Sequence, residues 1–360
     1  MKIAIIGASG FVGLRLVERF HLEGKAEVVP IAHAFRSLAV LARFALPWKV
    51  ADATDTDALA EALKGCDAVV HAALGDAPQI EAMGEALYPA AERAGVKRIV
   101  AISSAAVHTL TPSPGTDENT AIVVKQKSEY NVAKARAELA LTRARRAGKV
   151  ELVQLRPSII HGPRSRLVAD IAGQLIAKTA YLVGDGSGIC NAIAVDNLVD
   201  AIWLALTKPD ADRQVFLLND KETVTWRDFY QAIASAVGAD MSHVHSVVPP
   251  DFPESASEKL ARLAAKKSSM AIMPMIPRRV KRLAKAAAAA WSEPYRPEGW
   301  SLQLAPAPAL TEEMCQLQSC QWRFPATKAE TMLGYSPALS FSDAMRRTGA
   351  WLKFTGIARS

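Results

Sequence analysis

The chain has 360 residues, half of them apolar and 22% charged, and carries a formal net charge of +7. That length suits one large or two modest domains with a packed core, and no apolar run approaches the roughly 18 residues that span a bilayer. The four cysteines, Cys66, Cys190, Cys315 and Cys320, are too few and too irregular for a disulfide framework or a zinc knuckle, so they read as free thiols and no metal site is expected.

An apolar strand, Lys2-Ile-Ala-Ile-Ile6, begins directly after Met1, which leaves no room for a leader peptide and makes the cytoplasm the expected location. It runs into Gly7-Ala-Ser9-Gly10-Phe11-Val12-Gly13 and then a stretch with helical spacing of its apolar residues. Gly7 permits the tight turn, Gly10 lets a pyrophosphate approach the backbone, and Gly13 lets the helix pack on the strand. The phosphate would rest on the helix N-terminus. An ordinary strand-to-helix turn is the bland alternative, but strand, glycines and helix follow one another at once, which favours a dinucleotide site.

The second strand, 27–32, ends at His33-Ala-Phe-Arg36. An acid at that position binds a ribose 2′-hydroxyl, whereas an arginine accommodates a 2′-phosphate. His33 with Arg36 nearby therefore favours NADP, with NAD as the alternative and a solvated Arg36 as the bland reading. Further strands follow at 68–71, 98–103 and 151–156 with helices between, the pattern of a doubly wound parallel α/β sheet of Rossmann type. Asp52 lies in the same half, where the residues by themselves make it a candidate cap of the helix starting near residues 55–58.

Ser104 ends the strand at 98–103, and Tyr130 and Lys134 lie one helical turn apart in Ser-Glu-Tyr-Asn-Val-Ala-Lys. Residues four apart share a helix face, so the lysine ammonium is expected beside the phenol, lowering it from its ordinary value near ~10 toward the range where it exchanges protons with an alcohol. Tyr-x-x-x-Lys alone is a weak signal; the glycine turn gives it weight. Downstream, the chain leaves the sheet after Pro163, returns through a short strand and amphipathic helix at 192–206, and from Phe216 forms a smaller α/β substrate domain. That part includes a helix from Thr225, with Asp228 three residues on, to Val237. The expected division is 1–165 with 189–215 for the cofactor, and 166–188 with 216–360 for the substrate.

These features together resemble the extended, atypical short-chain dehydrogenases/reductases, the NAD(P)-dependent epimerase/dehydratase family that includes nucleotide-sugar epimerases, flavonol reductases and 3β-hydroxysteroid dehydrogenases. The resemblance extends through Asp67-Ala-Val-Val-His71-Ala72-Ala73, Leu155-Arg-Pro157, His161-Gly-Pro-Arg164, Gly184-Asp-Gly186, Val195-Asp-Asn197 and Lys328-Ala-Glu-Thr-Met-Leu-Gly-Tyr-Ser-Pro337. It implies that Ser104 hydrogen-bonds the reacting oxygen, that Tyr130 is the acid/base, and that Lys134 holds the nicotinamide ribose. It also implies cofactor contacts from Ser9, Phe11, Val12, His33, Asp52, Ala53, Ala72, Ala73, Leu74, Ser103 and Pro157, and substrate contacts from Ala105, His161, Arg164 and Asn191.

The resemblance makes a nucleotide-sugar epimerase, dehydratase or ketoreductase the leading reading. A reductase or dehydrogenase of a hydrophobic ketone or alcohol is the runner-up, and a non-catalytic NADP-binding sensor the outside option. Nucleotide-sugar members usually carry an arginine where this chain has Cys190-Asn191, with Arg164 or Arg323 as candidates to replace it, and a tyrosine where it has His161. The basic charge is local: nine basic residues and no acid lie between Lys259 and Lys285, inside an insertion at 255–300, so this stretch alone exceeds the net +7. It reads as a solvated face, a lid over an anionic substrate, or a contact with anionic lipid headgroups. A small-molecule substrate is the expected partner, with peripheral membrane contact through 259–285 and a homodimer as open options. Nucleic acid is not expected, because no basic-aromatic interleaving accompanies the charge.

Overall fold

A computed structural model describes residues 1–252 and 307–358, the side chains of Arg36 and Leu38 excepted. The basic stretch 259–285 and the insertion at 255–300 lie outside the described residues. Residues Met1–Val248 and Pro308–Ser360 make one compact unit.

Its backbone is a seven-stranded sheet whose strands are β1 (Lys2–Ile6), β2 (Glu27–Ala32), β3 (Lys49–Val50), β4 (Ala68–His71), β5 (Arg98–Ile102), β6 (Glu151–Pro157) and β10 (Gln214–Leu218), all paired in parallel. The order is β10-β6-β5-β4-β1-β2-β3. The chain winds outward from β1 to β3, then crosses to β4 and winds the other way. Ligands of such sheets sit at the carboxyl ends beside that reversal.

The strands are apolar throughout because both faces are covered. Along β1, Ile3 and Ile5 join the core against α1 (Phe11–Leu22) and α6 (Val195–Thr207). Ala4 and Ile6 join the core against α2 (Thr56–Leu63) and α3 (Ala77–Arg93), with Ala133 and Leu141 of α4 (Glu129–Ala147) in the same cluster. This is the two-residue alternation of a strand. Gly84 of α3 permits close approach to α4: a Cβ there would lie 2.6 Å from that of Ala137.

Two expectations need adjustment. Asp55, not Asp52, caps α2, accepting from the amides of Asp57 and Ala58. Strand β10 runs on past the expected boundary at residue 215, and Phe216 and Leu218 share a core with Ala329 and Leu333 of α9 (Thr327–Leu333). The C-terminal segment thus helps cover the cofactor sheet, because β10 needs both faces buried.

A third core holds α5 (Arg166–Ile176), α7 (Trp226–Val237) and α10 (Phe341–Phe354) around Trp226, Phe229 and Tyr230. Thr225 and Asp228 close a capping box on α7, as the spacing predicts. Two short parallel pairs complete the unit: β7 (Ile159–His161) with β9 (Ala192–Ala194), and β8 (Tyr181–Val183) with β11 (His245–Val247).

Candidate active site

The glycine turn is built by close backbone packing. Gly7 sits at φ +80, where a Cβ would meet the Ala73 backbone at 2.7 Å, and a Cβ on Gly13 would overlap the Gly7 carbonyl oxygen at 2.1 Å. No larger residue fits at either place. Gly10 is the N-cap of α1 and contributes no side chain, so the first-turn amides at Phe11, Val12 and Gly13 have no side-chain cap. A helix start with open amides and a positive dipole end suits a pyrophosphate, and these residues therefore fit a dinucleotide.

The flanks of the turn agree with this. Ala72 and Ala73 follow β4, and Leu74 stands 69% exposed. His33 is exposed at the end of β2, and Ser9 lies within the turn between Gly7 and Gly10. Asp52 accepts from the amide and hydroxyl of Thr54 at 2.9 and 2.8 Å, which, with the nearby His33, holds its carboxyl below its ordinary range. Ala53 is buried beside it. The side chain of Arg36 lies outside the described residues.

Helix α4 carries Tyr130 and Lys134 into the carboxyl edge of β5. Ser128 caps it, accepting from the Asn131 amide. Tyr130 is 37% exposed, yet packing around its hydroxyl raises the phenol above its ordinary value, opposed by a hydrogen bond with Ser104 and reinforced by the charge of Glu313. Ser104 in turn accepts from the Ala106 amide at 3.2 Å. The expected lowering of the phenol by Lys134 is not observed. The Lys134 ammonium is buried and donates to the Ile102 carbonyl oxygen at 3.0 Å, and burial drives it down to about 8, with Glu138 opposing.

Beneath this pair lies a buried polar network that sequence reasoning missed. Glu138, one turn past Lys134, accepts from Ser103 Oγ at 2.6 Å and pairs with Arg156 at 2.5 Å. Arg156 also contacts His108 Nε2 at 2.8 Å, and burial and the adjacent guanidinium depress that imidazole to about 4. The network joins α4, the end of β5 and β6 through side chains almost wholly out of water. Its signal was legible: Glu138 repeats the four-residue spacing from Lys134, and Arg156 stands in the quoted Leu-Arg-Pro.

A cavity of about 240 Å³ opens beside Tyr130. Ser103, Ser104, Ala105, Pro157 and Asn191 line it, joined by Ile159, Ile160, Ile189 and, from the C-terminal segment, Glu313, Leu317, Cys320 and Phe324. Gly188 allows that segment to close in, since a Cβ there would strike the Gln318 carbonyl oxygen, and the Ile189 amide donates to the Cys320 carbonyl at 2.7 Å. No lysine or arginine is among the described lining residues.

Three substrate assignments change. Asn191 lines the cavity, but its amide group is engaged in holding the C-terminal segment, donating to the Trp322 carbonyl and accepting from the Phe324 amide, both at 2.9 Å. His161 is fully buried, with its ring between Phe229 and Phe341 and Nε2 3.4 Å from Asp220; it packs against the third core and does not line the cavity. Arg164, at φ +76, lines a different groove with Arg15, Arg43 and Arg347. Arg323 is likewise occupied, donating to the Asp220 and Lys221 carbonyls.

A model of the NAD dependent epimerase/dehydratase family matches residues 3–218. The chain belongs to that family. Similar curated proteins include a 3beta-hydroxysteroid-dehydrogenase/decarboxylase of Arabidopsis thaliana, 25% identical over 83% of this chain, of which the chain spans half the length. A decarboxylating sterol-4-alpha-carboxylate 3-dehydrogenase of Candida albicans is 29% identical over 62% of the chain and 72% of the relative. A UDP-glucose 4-epimerase of Vibrio cholerae is 29% identical over 66% and 76%. The fold matches a dTDP-glucose 4,6-dehydratase of Streptomyces venezuelae solved with NAD, at 19% identity, TM-score 0.70 and coverage of 98% and 97%. This is a Rossmann-type enzyme family that uses NAD, in agreement with the extended dehydrogenase/reductase resemblance. Among the described residues no helix is long and apolar enough to cross a membrane.

Proposed function

We propose that the protein is an NAD(P)-dependent oxidoreductase acting at a secondary alcohol or ketone of a hydrophobic molecule. The observation that carries this reading is the cavity beside Tyr130, which is lined chiefly by aliphatic and aromatic groups and, among the described residues, by no cation. A diphosphate buried there would lack a cationic partner among the described residues, and a buried charge without its counter-charge is strongly disfavoured. The Arabidopsis and Candida relatives support the same class.

In this reading the Tyr130 hydroxyl exchanges a proton with the substrate oxygen, and the Ser104 hydroxyl hydrogen-bonds that oxygen and fixes its position. Lys134 turns from the Ile102 carbonyl to the cofactor ribose. Glu138 and Arg156 hold the helix turn that carries both. A bound nicotinamide nucleotide supplies the hydride acceptor or donor. The first-turn amides of α1 hold its diphosphate, and Arg36 favours NADP.

The nucleotide-sugar reading is retained as second because the Vibrio relative acts on UDP-glucose and because residues 259–285 supply cations outside the described residues. The same cations support a proposed peripheral contact with anionic lipid, which sedimentation with anionic and neutral vesicles tests. The deciding experiment incubates the purified protein with NAD⁺ or NADP⁺ and either a hydroxysteroid panel or UDP-glucose. Reduced nicotinamide accumulating with a hydroxysteroid supports the proposal. Conversion of UDP-glucose to its C4 epimer without net reduction of cofactor overturns it in favour of the second reading.

A further inference from the structure

The rim of the Tyr130 cavity carries a carboxylate, Glu313, that faces no cation among the described lining residues. Glu313 is exposed at the start of α8 (Glu312–Gln318). Its neighbour Glu312 is turned away, pairing with Lys127 at 2.6 Å and accepting from Gln316 at 3.1 Å. Glu313 makes no ion pair or hydrogen bond among the described residues. The helix end offers an anion nothing in compensation, because Thr311 caps it by accepting from the Met314 amide and two acids already occupy its first turn. Among the described residues the one charge on the rim is therefore negative, and its field reaches the phenol of Tyr130.

We infer that Glu313 is a specificity-determining residue that admits neutral or amine-bearing hydrophobic alcohols to the Tyr130 cavity and repels those carrying a carboxylate, sulfate or phosphate. The inference rests on the hydrophobic-alcohol reading and narrows it. An anionic substrate would approach a like charge while exchanging water for an apolar wall, two unfavourable changes that no cation among the described lining residues offsets. A neutral substrate meets only the apolar wall, and a protonated amine gains a partner at the rim. Selection here works by repulsion and needs no dedicated contact with the favoured substrate.

The test has a binding arm and a turnover arm. In the first, two fluorescent probes, neutral phenylnaphthylamine and anionic anilinonaphthalene sulfonate, are titrated into the full-length protein, Glu313→Gln and Glu313→Asp. The wild type should prefer the neutral probe. Glu313→Gln should narrow that preference about two- to fivefold, the scale of a partly exposed charge pair; Glu313→Asp should restore it, and added salt should narrow it in the wild type and Glu313→Asp but not in Glu313→Gln. A ratio that does not move in Glu313→Gln overturns the inference. The turnover arm compares a dihydroxysteroid with the same steroid sulfated only at the hydroxyl remote from the reacting carbon, in the wild type and Glu313→Gln. If the probe ratio responds but no hydrophobic alcohol is oxidised, the alcohol reading fails and the charge filter stands. Equal use of neutral and sulfated steroid by the wild type removes the filter and leaves the alcohol reading intact.

Discussion

Lys134 should weaken the fold it serves, by an amount that depends on pH. Burial lowers its ammonium from the ordinary 10.5 to about 8, so the folded chain binds this proton less tightly than the unfolded chain does. The penalty is full below pH 8, fades as pH rises through the window from 8 to 10.5, and is gone above it; in free energy it is about 3 kcal/mol at pH 7. Replacing Lys134 with methionine removes the penalty but also the hydrogen bond to the Ile102 carbonyl, worth about 1 kcal/mol net. Lys134→Met should therefore stabilise the cofactor-free protein by about 2 kcal/mol at neutral pH while abolishing turnover, a trade between stability and function. As the penalty shrinks below the worth of the lost hydrogen bond, the sign should reverse near pH ~10. Urea unfolding of both proteins across pH 7 to pH 10.5, with cofactor removed, measures this directly. A variant equally stable at neutral pH, or a difference that does not change with pH, would refute the reasoning.

Three other outcomes follow from the same site. Tyr130→Phe should lower turnover by about 10²–10⁴-fold because the proton donor is lost, while cofactor affinity by calorimetry stays near normal; near-normal turnover removes Tyr130 from its role. Glu138→Ala leaves Arg156 as an uncompensated charge among side chains only 5% and 3% exposed, which should cost about 3–5 kcal/mol in denaturant unfolding. The paired change Glu138→Leu with Arg156→Leu should recover most of that loss, and equal losses in the single and paired variants would show that the pair is not what holds this region. Arg36→Ala should weaken NADPH by about 1.5–3 kcal/mol, the scale of a charge-assisted hydrogen bond, with little change for NADH. Equal losses for both cofactors would rule out a contact between Arg36 and the 2′-phosphate.

What the sequence determined by itself is what short-range physics controls. The continuous apolar run Ile3-Ala4-Ile5-Ile6 announced a core strand. The spacing of Gly7, Gly10 and Gly13 announced a turn where backbone meets backbone, and Thr225 with Asp228 marked a helix start to the residue. Each depends on neighbours a few positions apart, so the pattern is written where the structure forms. Tertiary structure decided which side chains share a space. Lys134 lies one turn from Tyr130 along its helix, yet its ammonium donates to the carbonyl of Ile102 on strand β5. His161 stands three residues from Arg164, but β7 carries it inward to Phe229 and Phe341 while the left-handed backbone at Arg164 lies beside a separate groove. Glu313 enters the cavity from 183 residues beyond Tyr130. That meeting depends on Gly188 admitting the C-terminal segment, a contact between distant stretches that no local periodicity records.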